Sequence, residues 1–375
     1  MKKVVIAIDS FKGCLPSAEA GKAAAEGIRS VYPECEVICL PIADGGEGML
    51  DVLIMATNGQ EVPISAHDPL MRWRNTYYGI SENGETAFIE MASISGLPLV
   101  PPERRNPMLT TTYGTGEIIR DALERGCRNF IIGIGGSATN DAGLGMLQAL
   151  GFRFSDKEGK EVGTGRGEVL IKVAHIDSTC VHPALNSCRF TVACDVQNPF
   201  YGPEGAAYVF APQKGADREM VEALDAGLQN FAEVIRHTTG KDISHHPRAG
   251  AAGGMGGSLL AFLNAELKPG IQLMLEALNF SNKIKSADLI ITGEGKADRQ
   301  TLMGKVPSGI LAEARKQNIP VILLAGNIED SDELQQAGFE GVFSVNPPFI
   351  SLEEAMRPEV ARKNIQQTVE SICKK

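Results

Sequence analysis

The sequence predicts an α/β protein built from two structural units. Short β-branched runs alternate with Gly- or Asp-rich turns and with helical segments, the grammar of parallel strands flanked by helices. Between residues 62 and 91 that grammar gives way to a stretch that reads as antiparallel. A chain of 375 residues with 43% hydrophobic content is long enough for two domains, or one large one, with a proper core.

Residues 4–8 form a β-branched run suited to a buried parallel strand, 17–30 an Ala- and Glu-rich helix, and 36–41 a second strand. Asp44-Gly45-Gly46-Glu47-Gly48 follows, then an apolar helix over 49–55. His67-Asp68-Pro69 breaks the chain. Strands over 73–80 and 86–91 flank Ser81-Glu82-Asn83-Gly84-Glu85, whose Asn-Gly step signals a hairpin. The α/β pattern then resumes, with a helix over 115–125, a strand over 130–134 and a helix over 143–150. A strand over 190–194 and a long helix over 218–237 come next. Residues 248–257, half of them glycine, read as loop. Strands over 287–292, 320–325 and 341–345, a helix over 306–317 and a final helical stretch interrupted at Pro358 complete the chain.

The net charge of −10 argues against nucleic acid as a partner, since phosphate backbones want a basic surface. The apolar run at the N-terminus stops at Asp9, too short for a signal-peptide core, and no stretch approaches the roughly 18 to 20 apolar residues of a membrane span. The eight cysteines include no CxxC pair and read as reduced thiols, so a cytoplasmic location is expected. The adjacent His245 and His246 lack further ligands at zinc spacing.

Five turns follow directly on strand-like runs, at residues 9–13, 44–48, 133–141, 195–198 and 293–298. If the strands are parallel, these turns lie at carboxyl ends, where open α/β sheets bind ligands. Glycines there let backbone N–H groups approach an anion, Asp44, Glu47, Asp141, Asp195, Glu294 and Asp298 offer hard oxygen ligands, and Lys12, Lys296 and Lys305 offer compact positive charge. Those are the parts phosphoryl transfer needs. Other readings stay open. Gly133-Ile134-Gly135-Gly136-Ser137-Ala138 fits the dinucleotide pattern GxGxxA, with Asp156 as the ribose-binding acid of an NAD-dependent dehydrogenase, or serves only tight strand–helix packing. The Asp44 and Gly293 turns can be plain turns, and Lys214 a solvated loop lysine. A non-catalytic sugar-acid-binding protein is a third reading. No segment matches GxxxxGK[ST], which excludes a Walker-type phosphate loop.

Taken together, the motifs resemble the bacterial glycerate kinases of glyoxylate, glucarate and galactarate catabolism. The resemblance rests on Asp9-Ser10-Phe11-Lys12-Gly13, Asp44-Gly45-Gly46-Glu47-Gly48, Gly133 through Asp141, Cys194-Asp195-Val196-Gln197-Asn198-Pro199, Pro212-Gln213-Lys214-Gly215-Ala216, Gly250-Ala251-Ala252-Gly253-Gly254, and Ile291 through Asp298 with Gln300-Thr301 and Gly304-Lys305-Val306-Pro307. Ala142 stands where such enzymes often have Gly, and Phe200 where Leu is common. The resemblance implies a Rossmann- or flavodoxin-like domain with a parallel sheet, a distinct α/β domain inserted into it, and an active site in the cleft between them. The expected boundaries give 1–70 with 265–375 as the first domain and 71–264 as the second. It also implies ATP, Mg²⁺ and D-glycerate, with 2-phosphoglycerate as product and 3-kinase regiochemistry as the alternative. Membrane partners are not expected, and homo-oligomerisation is left open.

Asp195 is the expected base for the glycerate hydroxyl and Lys12 its catalytic companion on phosphate or carboxylate. Substrate or phosphate contacts are assigned to Ser10, Asp44, Gly45, Gly46, Gly136, Ser137, Thr139, Asn140, Asp141 and Lys214. Nucleotide contacts are assigned to Gly293, Glu294, Gly295, Lys296, Asp298 and Lys305, and Mg²⁺ to Asp44, Glu47, Glu294 and Asp298. Arg72 and Arg299 are further candidates for the substrate carboxylate.

Overall fold

The computed structural model describes residues 1–44 and 48–374. The chain divides into two compact units, residues 1–44 with 271–375, and residues 45–270. In chain order the strands are β1 (Lys3–Ile8), β2 (Glu36–Cys39), β3 (Gln60–His67), β4 (Trp73–Ile80), β5 (Thr86–Glu90), β6 (Asn129–Gly133), β7 (Arg153–Ser155), β8 (His175–Asp177), β9 (Arg189–Ala193), β10 (Glu266–Lys268), β11 (Leu289–Ala297), β12 (Val321–Ile328) and β13 (Gly341–Ser344). Among the described residues no helix is long and apolar enough to cross a membrane.

The first unit holds a sheet ordered β13-β12-β11-β1-β2, with every pair parallel. Numbered within the unit this is the order 2-1-3-4-5 of a flavodoxin-like doubly wound sheet, and its switch point lies between β1 and β11. Helices cover both faces of such a sheet, which is why β1 and the first half of β11 are almost continuously apolar and buried. The helix Ser17–Val31 packs through Ala20, Ala24 and Ile28, and it meets the terminal helix Pro358–Cys373 at Gly27. A Cβ on Gly27 would stand 2.5 Å from the Gln366 carbonyl oxygen, so glycine sets how closely these helices approach.

The second unit holds a mixed sheet ordered β10-β9-β6-β5-β4-β3. Strands β5, β6, β9 and β10 run parallel, while β3 and β4 are antiparallel additions. Its core centres on Phe130 and Phe190, stacked at 4.6 Å on neighbouring strands, with Phe154, Phe200 and Phe231 around them. The long helix Arg218–Thr239 starts at Asp217, whose carboxylate accepts from the Met220 amide, and stops at Gly240 in the left-handed region.

Several expectations shift. The first boundary falls at 44 instead of 70, and the second at 270 instead of 265. The physical reason is β3, which was not expected: it pairs with β4 over its whole length, from Gln60 opposite Ile80 to His67 opposite Trp73. By contrast the expected hairpin partners β4 and β5 share only the pairs Gly79–Phe88 and Ile80–Ala87, closed by the Ser81 amide on the Thr86 carbonyl. The segment 293–298, expected as a turn, continues β11 as far as Ala297, because its ladder to β12 runs on through Glu294–Ala325 and Lys296–Asn327. Residues 248–254 are turns as expected, but the helix Met255–Phe262 begins before the glycine run ends.

Ala142 sits at φ +52°, in the left-handed region that costs a side chain with a Cβ about 1–2 kcal/mol. Its amide donates to the Gly253 carbonyl at 3.0 Å, and its own carbonyl accepts from the Ser258 hydroxyl, so the conformation is enforced from both sides. Allowing for the extra flexibility glycine brings to the unfolded chain, Ala142→Gly is expected to raise stability by roughly 0.5–1 kcal/mol in urea denaturation. A lower urea midpoint would show that the strain is not relieved by removing the methyl group.

Candidate active site

In the first unit the site grows from the switch point. The Asp9 amide donates to the Gly293 carbonyl at 2.8 Å, sealing the end of the β1–β11 ladder. The Ser17 hydroxyl donates to the Ile8 carbonyl and accepts from the Ile42 amide at 2.9 Å, tying the segment before Asp44 to the same strand end. Gly293 lies so close to β12 that a Cβ would be 2.5 Å from the Leu324 carbonyl oxygen. These constraints set Asp9, Asp44 and Glu294 around one cavity of about 760 Å³, which Ser10, Lys12, Gly295, Lys296 and Lys305 also line.

The electrostatics are crowded. Asp9 is almost wholly buried and its carboxyl is raised to about 7, first by burial, then by the charges of Asp44 and Glu294, against the Ser10 amide and Lys12. Lys12 reaches Asp44 at 3.8 Å with most of its side chain exposed. Burial also pushes the Glu294 carboxyl up, opposed by the Thr301 hydroxyl and by Lys305, whose ammonium lies 3.5 Å from one carboxylate oxygen. The other carboxylate oxygen, Oε1, is buried without a partner. Lys296 is exposed and pairs with Glu329 at 3.0 Å and Asp298 at 3.6 Å. Asp298 is largely spent on local structure, since its side chain accepts from the Gln300 amide while its own amide donates to Thr301.

In the second unit the turns after β6 and β9 lie at the ends of adjacent parallel strands. Gly136, at φ +71°, and Gly135 are exposed, and behind them Ser137 is buried. Lys214 is also buried: its ammonium donates to the Ser137 hydroxyl at 2.8 Å and the Thr139 carbonyl at 2.6 Å. Loss of solvation pushes its pKa down to about 7, against the opposing charge of Asp141. The Thr139 hydroxyl and both amide atoms of Asn140 are buried without partners. Asp141 is fully buried and accepts from the Thr112 amide and hydroxyl at 2.8 and 2.7 Å and from the amides of Gly143 and Gly145. It is an internal brace for the turn, not a group displayed to a ligand. The glycine loop clamps both turns: a Cβ on Gly253 would meet the Thr139 carbonyl at 2.1 Å, and one on Gly250 the Pro199 carbonyl at 2.1 Å. Asp195 is exposed, with one carboxylate oxygen accepting from the Gly270 amide at 2.8 Å.

The structure therefore brings together Ser10, Lys12, Asp44, Glu294, Gly295, Lys296 and Lys305 in one unit, and Ser137, Thr139, Asn140 and Lys214 in the other. Gly293 is ladder backbone. Gly45, Gly46 and Glu47 lie outside the described residues. Arg72 is engaged by Asp68 at 2.6 Å and Arg299 by Glu333, so neither cation is held in reserve for a substrate. The sequence reading missed Asp9 as a site residue, although the turn it opens was singled out. It also missed Thr112, whose amide and hydroxyl hold Asp141 from within the buried run 110–112; three adjacent threonines carry no pattern that predicts such a role. The dinucleotide reading fails on geometry. Its glycines do not open a helix, which starts only at Leu144, and Asp156 sits in a turn after β7, accepting from the amides of Glu158 and Lys160. Among the described residues no three His, Cys, Asp or Glu side chains gather as a ready metal-binding set.

The family model described as Glycerate kinase family matches residues 4–375. The chain belongs to the glycerate kinase family. It is accordingly an enzyme, a phosphotransferase with an alcohol group as acceptor. Its similarity to the glycerate 2-kinase of Escherichia coli K12 is 48% identity, covering 95% of this chain and 93% of the relative. To the glycerate kinase of Bacillus subtilis 168 it is 45%, covering 99% and 97%. A crystal structure from Salmonella typhimurium LT2, provisionally named glycerate kinase 2, superposes with a TM-score of 0.91 at 44% identity, covering 100% of this chain and 97% of that one. The family match runs through both units.

Two outcomes follow from the buried charges. Below about pH 4 Asp9 is protonated whether the chain is folded or not; from there to about 7 only the folded chain keeps the proton, so the group's contribution to stability falls as pH rises, and above 7 the cost is complete. Asp9→Asn should therefore be more stable than wild type at pH 8, by on the order of 1–3 kcal/mol in urea denaturation, with little gain at pH 4, while its turnover falls. Lower stability at pH 8 would mean that the three carboxylates do not repel as described.

For Lys214 the sign is reversed. From about pH 7 up to the ordinary lysine value of 10.5 the unfolded chain holds a proton that the folded chain releases, so stability from this group rises with pH across that window. In urea midpoints measured from pH 7 to 10, wild type should gain stability relative to Lys214→Met. Parallel curves would place Lys214 in a more solvated setting.

Proposed function

We propose that the protein transfers the γ-phosphoryl group of ATP, in the presence of Mg²⁺, to D-glycerate, giving 2-phosphoglycerate and ADP. The observation that carries this reading is the cavity at the β1–β11 switch point, where lysines and buried carboxylates share one wall system. Phosphoryl transfer is mainly positioning and charge stabilisation, and this wall offers lysines to a triphosphate and carboxylate oxygens to a divalent cation.

The residues fit a hard cation. The donors are carboxylate oxygens, and the buried Glu294 Oε1 has no partner. Asp44 and Glu294 would hold Mg²⁺, with Glu47 and Asp298 as further candidates, and the ion would neutralise charge on the phosphates. Lys12, Lys305 and Lys296 bind and orient the phosphate oxygens. In the second unit the Gly136 turn, Ser137, Thr139 and Asn140 take the acceptor acid, with Lys214 supplying positive charge through Ser137. The glycerate hydroxyl oxygen attacks the γ-phosphorus, the bond to the β-bridging oxygen breaks, and the hydroxyl proton passes to Asp195. The hydrogen bond from the Gly270 amide fixes one Asp195 oxygen and orients the carboxylate. Eight unpaired cysteines support a reducing, cytoplasmic setting.

The test mixes protein, ATP, Mg²⁺ and D-glycerate and follows ADP, with phosphorus NMR of the product to distinguish 2- from 3-phosphoglycerate. ADP formation that needs glycerate is expected; none above background would overturn the reading. Asp195→Asn should lose roughly 100-fold or more in kcat while nucleotide affinity is kept, and normal turnover would remove Asp195 from its role.

A further inference from the structure

We infer that the wall of the first-unit cavity formed by residues 347–356 seats the base of the nucleoside triphosphate, an assignment that rests on the function proposed above. The cavity, at about 760 Å³, is of the size that takes a ligand larger than glycerate. Its charged groups account for phosphates only. Beside a few neutral polar groups such as Asn327 and Asn346, its apolar lining comes largely from one short segment, including Pro347, Ile350, Leu352 and Met356. Leu352 and Met356 are 75% and 39% exposed, and the neighbouring Phe349 is fully exposed at φ +69°. So much apolar surface concentrated beside a phosphate-type site fits the flat, apolar face of a nucleobase.

Continuity with the charged wall supports the same occupant. Met356 lies against Gly13, where an added Cβ would be 3.3 Å from its methyl carbon, and Gly13 follows Lys12 directly. The Cys14 thiol faces the Ala355 carbonyl at 3.9 Å. The segment is also held at its start. The Asn346 side chain donates to the Gly326 carbonyl at 2.8 Å and accepts from Asn364 at 3.2 Å, which ties it to β12 beyond Glu294. One molecule with an apolar ring at one end and phosphates at the other would touch both walls, whereas glycerate or a free phosphate would leave the apolar wall bare.

The experiment measures binding of a fluorescent ATP analogue and of inorganic tripolyphosphate, as its competitor, to the full chain and to the double variant Leu352→Ser, Met356→Ser. Both substitutions are uncharged, so the phosphate wall is unaltered. ATP affinity should fall by about tenfold while tripolyphosphate competes as well as before, and Leu352→Met should bind ATP like wild type. Undiminished ATP affinity in the double variant overturns the inference, as does an equal loss for tripolyphosphate. A wild-type chain that binds no nucleotide overturns both this inference and the proposed function. One that binds nucleotide but forms no ADP with glycerate overturns the acceptor reading alone, and the variants still decide the wall.

Discussion

The arrangement depends on the parallel pairing of β1 with β11 at the point where the sheet changes direction. That ladder ends with Ile8 opposite Gly293 and the Asp9 amide on the Gly293 carbonyl. Beyond it, the two chains diverge into side chains that face one cavity. Because neighbouring strand ends lie only about 5 Å apart, the carboxyls of Asp9 and Glu294 are forced close together, and Asp44 joins them through the Ser17 tie. Each carboxyl would be comfortable in water. Burial first, and then the charges of Asp44 and Glu294, raise the Asp9 carboxyl to about 7. The fold holds this unfavourable cluster because the apolar ladder beneath it is extensive, with β1 and most of β11 buried.

The second unit solves a related problem with a cation. Lys214 lies behind the Gly135–Gly136 turn with neutral oxygens as its hydrogen-bond partners, and Asp141, which could have paired with it, is committed to four backbone and hydroxyl donors. Lys214 thus sits behind the exposed turn among neutral oxygens, where burial lowers its pKa to about 7. Glycines at 250 and 253 make this possible by letting one loop press directly on the backbone of both turns. Their role is packing, while the glycines at 135 and 136 are the exposed ones, suited to a ligand's approach.

The glycerate kinase family match runs over residues 4–375, so both charge patterns lie within it. Carboxylates line the cavity of the first unit, while the second buries Lys214 against neutral oxygens.

The sequence by itself determined much. Hydrophobic period placed β1, β6, β9 and the long helix after Asp217, because those signals are local. The motifs at Asp9, Asp44, Gly133, Asp195 and Gly293 stood out because glycine and short acids punctuate a chain wherever the backbone turns sharply. It did not reveal β3, whose mixed polar and apolar residues become a strand only when β4 offers a full ladder. Nor did it reveal that 293–297 stays extended, which β12 enforces. Tertiary structure alone decided that Asp141 braces, that Arg72 and Arg299 are already paired, and that Asp9 and Lys214 are buried and perturbed. Burial and charge proximity are sums over neighbours distant in sequence, and no single segment of the chain contains them.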